Sequence, residues 1–302
     1  MYKRLSLLLL AALLLFGCAQ PGETPPGNDG KLKVVASFYP MYDFAKNIGG
    51  ERVDVSIIMP PGVSPHEFEP SPSAIRRLAE ADVFIYNGAG MEPWVPNLLH
   101  GVGNTKLLAV DSSGNVELIK PQNQGDSGTD PHVWLDPVLV KKQVANIRDA
   151  FAQADPAGKD YYSANAAAYD AKLDSLDASI RLAFSSCKKT DILITHATLG
   201  YFCKEYGCTQ IPIEGVSEEG EPSPAELVKI VEQAKAKKVT AVFFESLISP
   251  KSAQTIANEI NGQVLAFNTV HGVTPEEEAR GENYLSLMEE NLVNIKKGLD
   301  CG

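Results

Sequence analysis

Thr129-Asp130-Pro131-His132-Val133-Trp134-Leu135-Asp136-Pro137 lies near the middle of the 302-residue chain. It sets a histidine between turn-forming residues and hands the chain on to its longest helical run. On either side of it, strand and helix signals alternate, the pattern of parallel sheets covered on both faces. The reading is therefore an α/β protein with two similar lobes. Each lobe is a four-stranded, mainly parallel sheet with helices on both faces, and a long rigid helix joins the two.

N-terminal to this segment, the apolar runs Lys33–Phe38, Val53–Met59, Asp82–Asn87 and Leu107–Val110 read as strands. Met41–Ile48 and Ser71–Ala81 read as helices, the second with Ser71 as N-cap and Pro72 at its first position. C-terminal to it, Asp191–Thr195, Gln210–Ile213, Thr240–Phe244 and Gln263–Phe267 are strands with helical runs between them. An amphipathic helix over Asn283–Leu299 closes the chain. Between the halves, Val138–Ala154 and Ala157–Ser185 are helical in pattern, broken at Asp155-Pro156, where proline opens a helix but does not continue one. The second run, at about 29 residues and 1.5 Å each, would span roughly 40 Å. A strut of that kind predicts lobes that move modestly relative to one another.

Composition bounds the function. A hydrophobic content of 44% over this length supports a substantial core. A formal charge of -11 without a basic run excludes a nucleic-acid partner, because phosphate binding needs a basic face. The start of the chain reads as a targeting segment: Lys3 and Arg4, the apolar run Leu5–Phe16, then Gly17-Cys18. That run is shorter than the ~20 residues a spanning helix needs. Leu15-Phe16-Gly17-Cys18 resembles a bacterial lipobox, so residues 1–17 are expected to be a lipoprotein signal peptide with Cys18 lipidated. A plain secretory signal is the alternative. Residues 18–30, rich in Pro, Gly and small polar residues, form the expected tether. Beyond it the expected units are an N-terminal lobe 31–137, linking helices 138–186 and a C-terminal lobe 187–302.

The candidate site lies at the carboxyl ends of the strands, where open α/β sheets bind ligands. His66 follows the second strand, His132 lies beyond the fourth, His196 follows Ile192-Leu193-Ile194-Thr195 directly, and His271 comes shortly after the last. Four of the five histidines thus fall at the same edge of their respective sheets, and imidazole is the commonest neutral ligand for a borderline divalent metal. His100, in Leu98-Leu99-His100-Gly101, reads as a structural residue at a helix C-terminus.

Four motifs in order, Pro65-His66-Glu67-Phe68-Glu69-Pro70, Asn87-Gly88-Ala89-Gly90-Met91-Glu92-Pro93-Trp94, Asp130-Pro131-His132-Val133-Trp134-Leu135-Asp136 and Thr195-His196-Ala197-Thr198-Leu199-Gly200-Tyr201, carry a resemblance. Together they resemble the metal-binding lipoproteins of ABC importers, the solute-binding proteins that take up zinc or manganese. The resemblance runs from about Lys31 to Leu299. It implies metal held in an interlobe cleft and delivered to a membrane permease with its cytoplasmic ATPase. It also implies an extracytoplasmic monomer, periplasmic or lipid-anchored. Within that family His66 and His132 match histidine ligands, and histidine at the third position, His196 here, marks the zinc type rather than the manganese type. Three nitrogen ligands suit tetrahedral zinc, whereas manganese favours oxygen. Manganese or iron in the same transport role is the alternative cargo.

The fourth ligand departs from the family pattern. Asn268 stands where many relatives carry aspartate, so His271 is the expected substitute, with Glu245, Glu67 and water as further candidates. Ser112–Gly128 contains no histidine, so the histidine-rich loop of some zinc relatives is missing. An adhesin role, known among such lipoproteins, stays open at this point. A secreted zinc hydrolase is the alternative of a different class, but it needs an open coordination position with a base beside it, and no His-Glu-x-x-His stretch occurs. No catalytic residue is assigned. With Cys18 set aside, Cys187, Cys203, Cys208 and Cys301 remain, which allow three pairings. Their places at the edge opposite the histidines favour disulfides, Cys203 with Cys208 and Cys187 with Cys301, over free buried thiols.

Overall fold

The computed structural model describes residues 30–60, 63, 65, 68–121, 128–215, 223–245 and 250–302. The signal peptide, Cys18, residues 19–29 of the tether, His66 and Glu67 lie outside the described residues. Residues 31–302 form one compact unit. Its first half runs β1 (Leu32–Ala36), α1 (Tyr39–Gly49), β2 (Val53–Ile57), α2 (Pro72–Ala79), β3 (Val83–Tyr86), α3 (Val95–Val102) and β4 (Leu108–Asp111). Two long helices follow, α4 (Pro137–Ala154) and α5 (Lys159–Phe184). The second half runs β5 (Asp191–Ile194), α6 (Gly200–Tyr206), β6 (Thr209–Pro212), α7 (Pro224–Ala236), β7 (Ala241–Glu245), α8 (Lys251–Ile260), β8 (Gln263–Phe267), α9 (Pro275–Arg280) and α10 (Tyr284–Gly298).

The two sheets have the same topology. The first is ordered β2-β1-β3-β4 and the second β6-β5-β7-β8, with every pair parallel. Central strands such as Val83-Phe84-Ile85 and Ile192-Leu193-Ile194 are fully buried, as strands covered on both faces must be. The expected fold class is borne out. Ser71 caps α2 as read, its hydroxyl accepting from Ala74 N, and Asp136 caps α4 by accepting from Val138 N at 2.8 Å.

The connection breaks where Asp155-Pro156 predicts. Pro156–Gly158 forms a turn of 3-10 helix, and α4 packs back on β3, β4 and α1 of the first sheet. Asp155 holds this corner, accepting from Arg52 Nη2 at 2.6 Å and from Tyr162 OH at 2.8 Å. The spanning element is therefore α5 alone, 26 residues or ~39 Å long. It packs on α4 and α1 from one half and on α10 from the other.

One apolar core runs through both halves. Phe38, Phe44, Trp134, Tyr169, Phe267 and Tyr284 belong to a single buried cluster, with the Phe44 and Tyr284 rings edge to face at 5.0 Å. At the edge away from the histidines, a disulfide joins Cys187 to Cys301 and so ties the end of α5 to the end of α10. A second joins Cys203 to Cys208 across the end of α6. Among the described residues, no helix is long and apolar enough to cross a membrane.

Candidate metal centre

In the C-terminal lobe the strand register builds the site. Ile194 pairs with Phe243 and Glu245 with Phe267. Side chains two residues further along a strand project on the same face, so His196 falls level with Glu245, and Thr269, two residues past Phe267, follows on that face. The distances follow from that placement. Glu245 Oε1 lies 2.7 Å from His196 Nδ1, and Thr269 Oγ1 donates to Glu245 Oε2 at 3.2 Å. His271 joins the same chain, its Nδ1 at 2.6 Å from Thr269 Oγ1 and 4.0 Å from Glu245 Oε2. Glu245 is 0% exposed, and His196 and His271 are buried.

In the N-terminal lobe the support is local. Asp130 Oδ1 accepts from His132 N at 3.0 Å and lies 2.9 Å from His132 Nδ1, a two-residue Asx arrangement that fixes ring and tautomer together. Asn87 Nδ2 donates to Pro131 O at 2.9 Å, and Thr129 Oγ1 donates to Ala89 O at 2.6 Å, so the Asn87–Gly90 turn carries the histidine loop. That turn keeps Gly88, Ala89 and Gly90 all at positive φ, between 55° and 88°. It is pinned from beneath by Glu92, which accepts from Ser37 Oγ at 2.7 Å, Asn87 N at 2.8 Å and Gly88 N at 3.1 Å. Burial pushes the Glu92 carboxyl up to about 7 against the pull of those three donors.

The two lobes meet at the rings. The His132 and His196 centroids are 4.9 Å apart, nearly perpendicular, and both residues are 1% exposed. Tyr201 OH on α6 donates to Asp130 O at 2.8 Å, and Trp134 Nε1 donates to Thr269 O at 2.8 Å, so each lobe grips the other's histidine loop. A cavity of about 640 Å³ opens beside His271, lined among others by Tyr39, Asp43, Glu278 and Glu282.

His132 and His196 are brought into contact, and His271 is linked to His196 through Thr269 and Glu245. Among the described residues, no three His, Cys, Asp or Glu side chains gather into a metal shell by themselves. Asn268 is committed elsewhere: its Nδ2 donates to Glu277 Oε1 at 2.8 Å and its Oδ1 accepts from Val270 N at 2.8 Å. His100 stands exposed in the last turn of α3. Sequence reasoning passed over Asp130, Thr269 and Trp134. The Asp130–His132 spacing was a readable signal for the first, but the roles of Thr269 and Trp134 depend on long-range pairing.

A family model described as the periplasmic component A of the zinc-uptake complex, ZnuA, matches residues 34–298. The chain is similar to the high-affinity zinc uptake system protein ZnuA of Bacillus subtilis, at 36% identity with 99% of each chain covered. It is equally similar, at 36% identity over 99% of its own length, to the zinc-binding lipoprotein AdcA of Streptococcus pneumoniae, of which it spans 61%. The crystal structure of the Zn(II)-bound ZnuA-like domain of that AdcA superposes with a TM-score of 0.79. The two are 36% identical, and the match covers 90% of this chain and all of the other.

Proposed function

Because this chain belongs to the family of the periplasmic zinc-uptake component A, we propose that it captures a zinc ion between its lobes and hands it to a membrane permease driven by a cytoplasmic ATPase. The observation that carries this reading is the contact of the His132 and His196 rings from opposite lobes, each with its Nδ1 on a buried carboxylate. A carboxylate or carbonyl on one ring nitrogen is the usual orienting partner of a zinc-bound imidazole, and it assigns coordination to Nε2. His66 and His271 complete a shell of four nitrogens. Such a shell suits tetrahedral zinc and disfavours manganese, which takes oxygen donors.

Charge balance supports the same assignment. Zinc brings two positive charges to neutral imidazoles, and Asp130 and Glu245, hydrogen-bonded behind the rings, return two negative ones. Glu245 is then a counter-charge rather than a ligand, and His271 occupies the place that aspartate fills in relatives. Ligands drawn from both lobes and closed over by buried side chains suit cargo capture better than hydrolysis, which keeps a position open for substrate. The remaining organisation follows the same reading: lipid on Cys18, a tether to residue 30, a monomer with lobes 31–137 and 187–302, and linking helices 138–186.

Isothermal titration of the metal-free protein tests it. One zinc per chain is expected, and His66→Ala, His132→Ala or His196→Ala each weakens binding by orders of magnitude. Binding fades as pH falls below the ordinary imidazole range of about 6.5, because ligation needs the neutral ring. Unaltered affinity in any one variant removes that residue from the shell.

A further inference from the structure

Trp134 stands two residues after His132 in the N-terminal half, yet the polar atom of its side chain serves the other half. Its Nε1 donates to the Thr269 carbonyl at 2.8 Å, and its own carbonyl accepts from Tyr284 OH on α10 at 2.7 Å. The ring is 0% exposed, edge to face with Phe38 at 5.0 Å, and its centroid is 5.2 Å from that of His132. One indole therefore touches the first lobe's histidine while holding the turn that carries the second lobe's.

That turn needs holding. Val270, directly before His271, sits at φ 57°, in the left-handed region that L residues visit rarely and β-branched ones least. Two bonds to its backbone keep it there, beside the Thr269 Oγ1 links to Glu245 and His271. Val270 N donates to Asn268 Oδ1, a restraint from within its own lobe, and Trp134 holds the preceding carbonyl from across the cleft. A strained conformation persists only where its surroundings over-determine it. Here one of the two restraints exists only while the lobes are together.

We propose that Trp134 is a positioning residue for metal capture: its indole N–H fixes the Thr269–His271 turn in the closed protein, so that parting the lobes withdraws His271 from the metal. This rests on the reading of His132, His196 and His271 as zinc ligands. It gives one hydrogen bond two tasks, setting how long the cargo stays and choosing which ligand leaves first.

The test is a double-mutant cycle on the full chain, with zinc dissociation followed by stopped flow against a chromophoric chelator. Trp134→Phe keeps an aromatic ring and removes the donor. It is expected to speed dissociation about 10-fold, the effect of one buried hydrogen bond, with little change in association. In a His271→Ala background the same substitution should have no further effect, which a merely structural tryptophan would not predict. The d–d spectrum of the cobalt-substituted protein should shift in the same direction for Trp134→Phe as for His271→Ala. If Trp134→Phe folds poorly, Tyr284→Phe, which loosens the Trp134 carbonyl, should show a smaller effect of the same sign. Additive losses, or dissociation unchanged in both Trp134→Phe and Tyr284→Phe while His271→Ala is impaired, overturn the proposal alone. Zinc held equally well by His132→Ala and His271→Ala overturns the ligand reading and the proposal with it.

Discussion

Replacing Glu245 is the sharpest probe of the proposed metal centre, because this one side chain lies within 4.0 Å of three other side chains there. Its Oε1 is 2.7 Å from His196 Nδ1, and its Oε2 is 3.2 Å from Thr269 Oγ1 and 4.0 Å from His271 Nδ1. Glu245→Gln keeps the shape and one acceptor for His196 but discards the charge. A hydrogen bond to a charged group is worth ~1 kcal/mol more than a neutral one, so zinc affinity should fall roughly fivefold. Glu245→Ala removes both bonds and leaves His196 Nδ1 without that acceptor in a dry setting. Loss of such an orienting partner costs about 10- to 100-fold in metal affinity, and the upper end applies here because two rings lose their anchor. Competition against a chromophoric chelator, on metal-free protein shown to be folded by circular dichroism, measures the series. The expected order is wild type, then Gln, then Ala, with one zinc per chain throughout. Wild-type affinity in Glu245→Ala would refute the orienting role. Loss of stoichiometric binding in Glu245→Ala, with none in His271→Ala, would make Glu245 the fourth ligand instead.

The Glu92 carboxyl, raised by burial from 4.5 to about 7, makes a contribution to stability that is present in full below 4.5 and is lost as pH rises through about 7. At 1.36 kcal/mol per pH unit this amounts to roughly 3 kcal/mol across the window. Urea unfolding of Glu92→Gln at pH 5 and pH 8 should therefore show a variant less stable than wild type at pH 5, with the gap narrowing by pH 8. A constant gap would contradict the assignment. The disulfides should differ in value: Cys187–Cys301 closes a separation of 114 residues and Cys203–Cys208 one of 5. Loop-closure entropy gives about 5 and about 2 kcal/mol respectively. Paired Cys→Ser variants compared by urea midpoint check this, and equal losses would count against it.

Much of this molecule is readable from its chain. β8 is observed at the expected Gln263–Phe267, and Ser71-Pro72 marks the start of α2 as capping chemistry requires. Where boundaries moved, the cause is physical. Ser37 and Phe38 were read into the first strand, yet β1 stops at Ala36, because residues leaving a buried sheet edge enter the core and stay as apolar as the strand itself. The short helices α3 and α9 carry too few turns to show a period. The histidines announced themselves by standing at strand ends. The wiring behind them did not, since Glu245 meets His196 only through a register between strands some fifty residues apart. Trp134 reads simply as core, and its hydrogen bond 135 residues along the chain leaves no mark in local sequence.

For the proposed transport role, the shared core has a consequence for how cargo can leave. Phe44, Trp134 and Tyr284 seal the seam between the halves, and swinging those halves wide apart would wet side chains worth about 1.5–3 kcal/mol each. Thermal agitation rarely supplies that much, so a loaded molecule should behave as a locked container in solution. The key must come from outside: whatever surface docks across the seam has to repay the exposed aromatic area with contacts of its own, which ties unloading to arrival at the right destination.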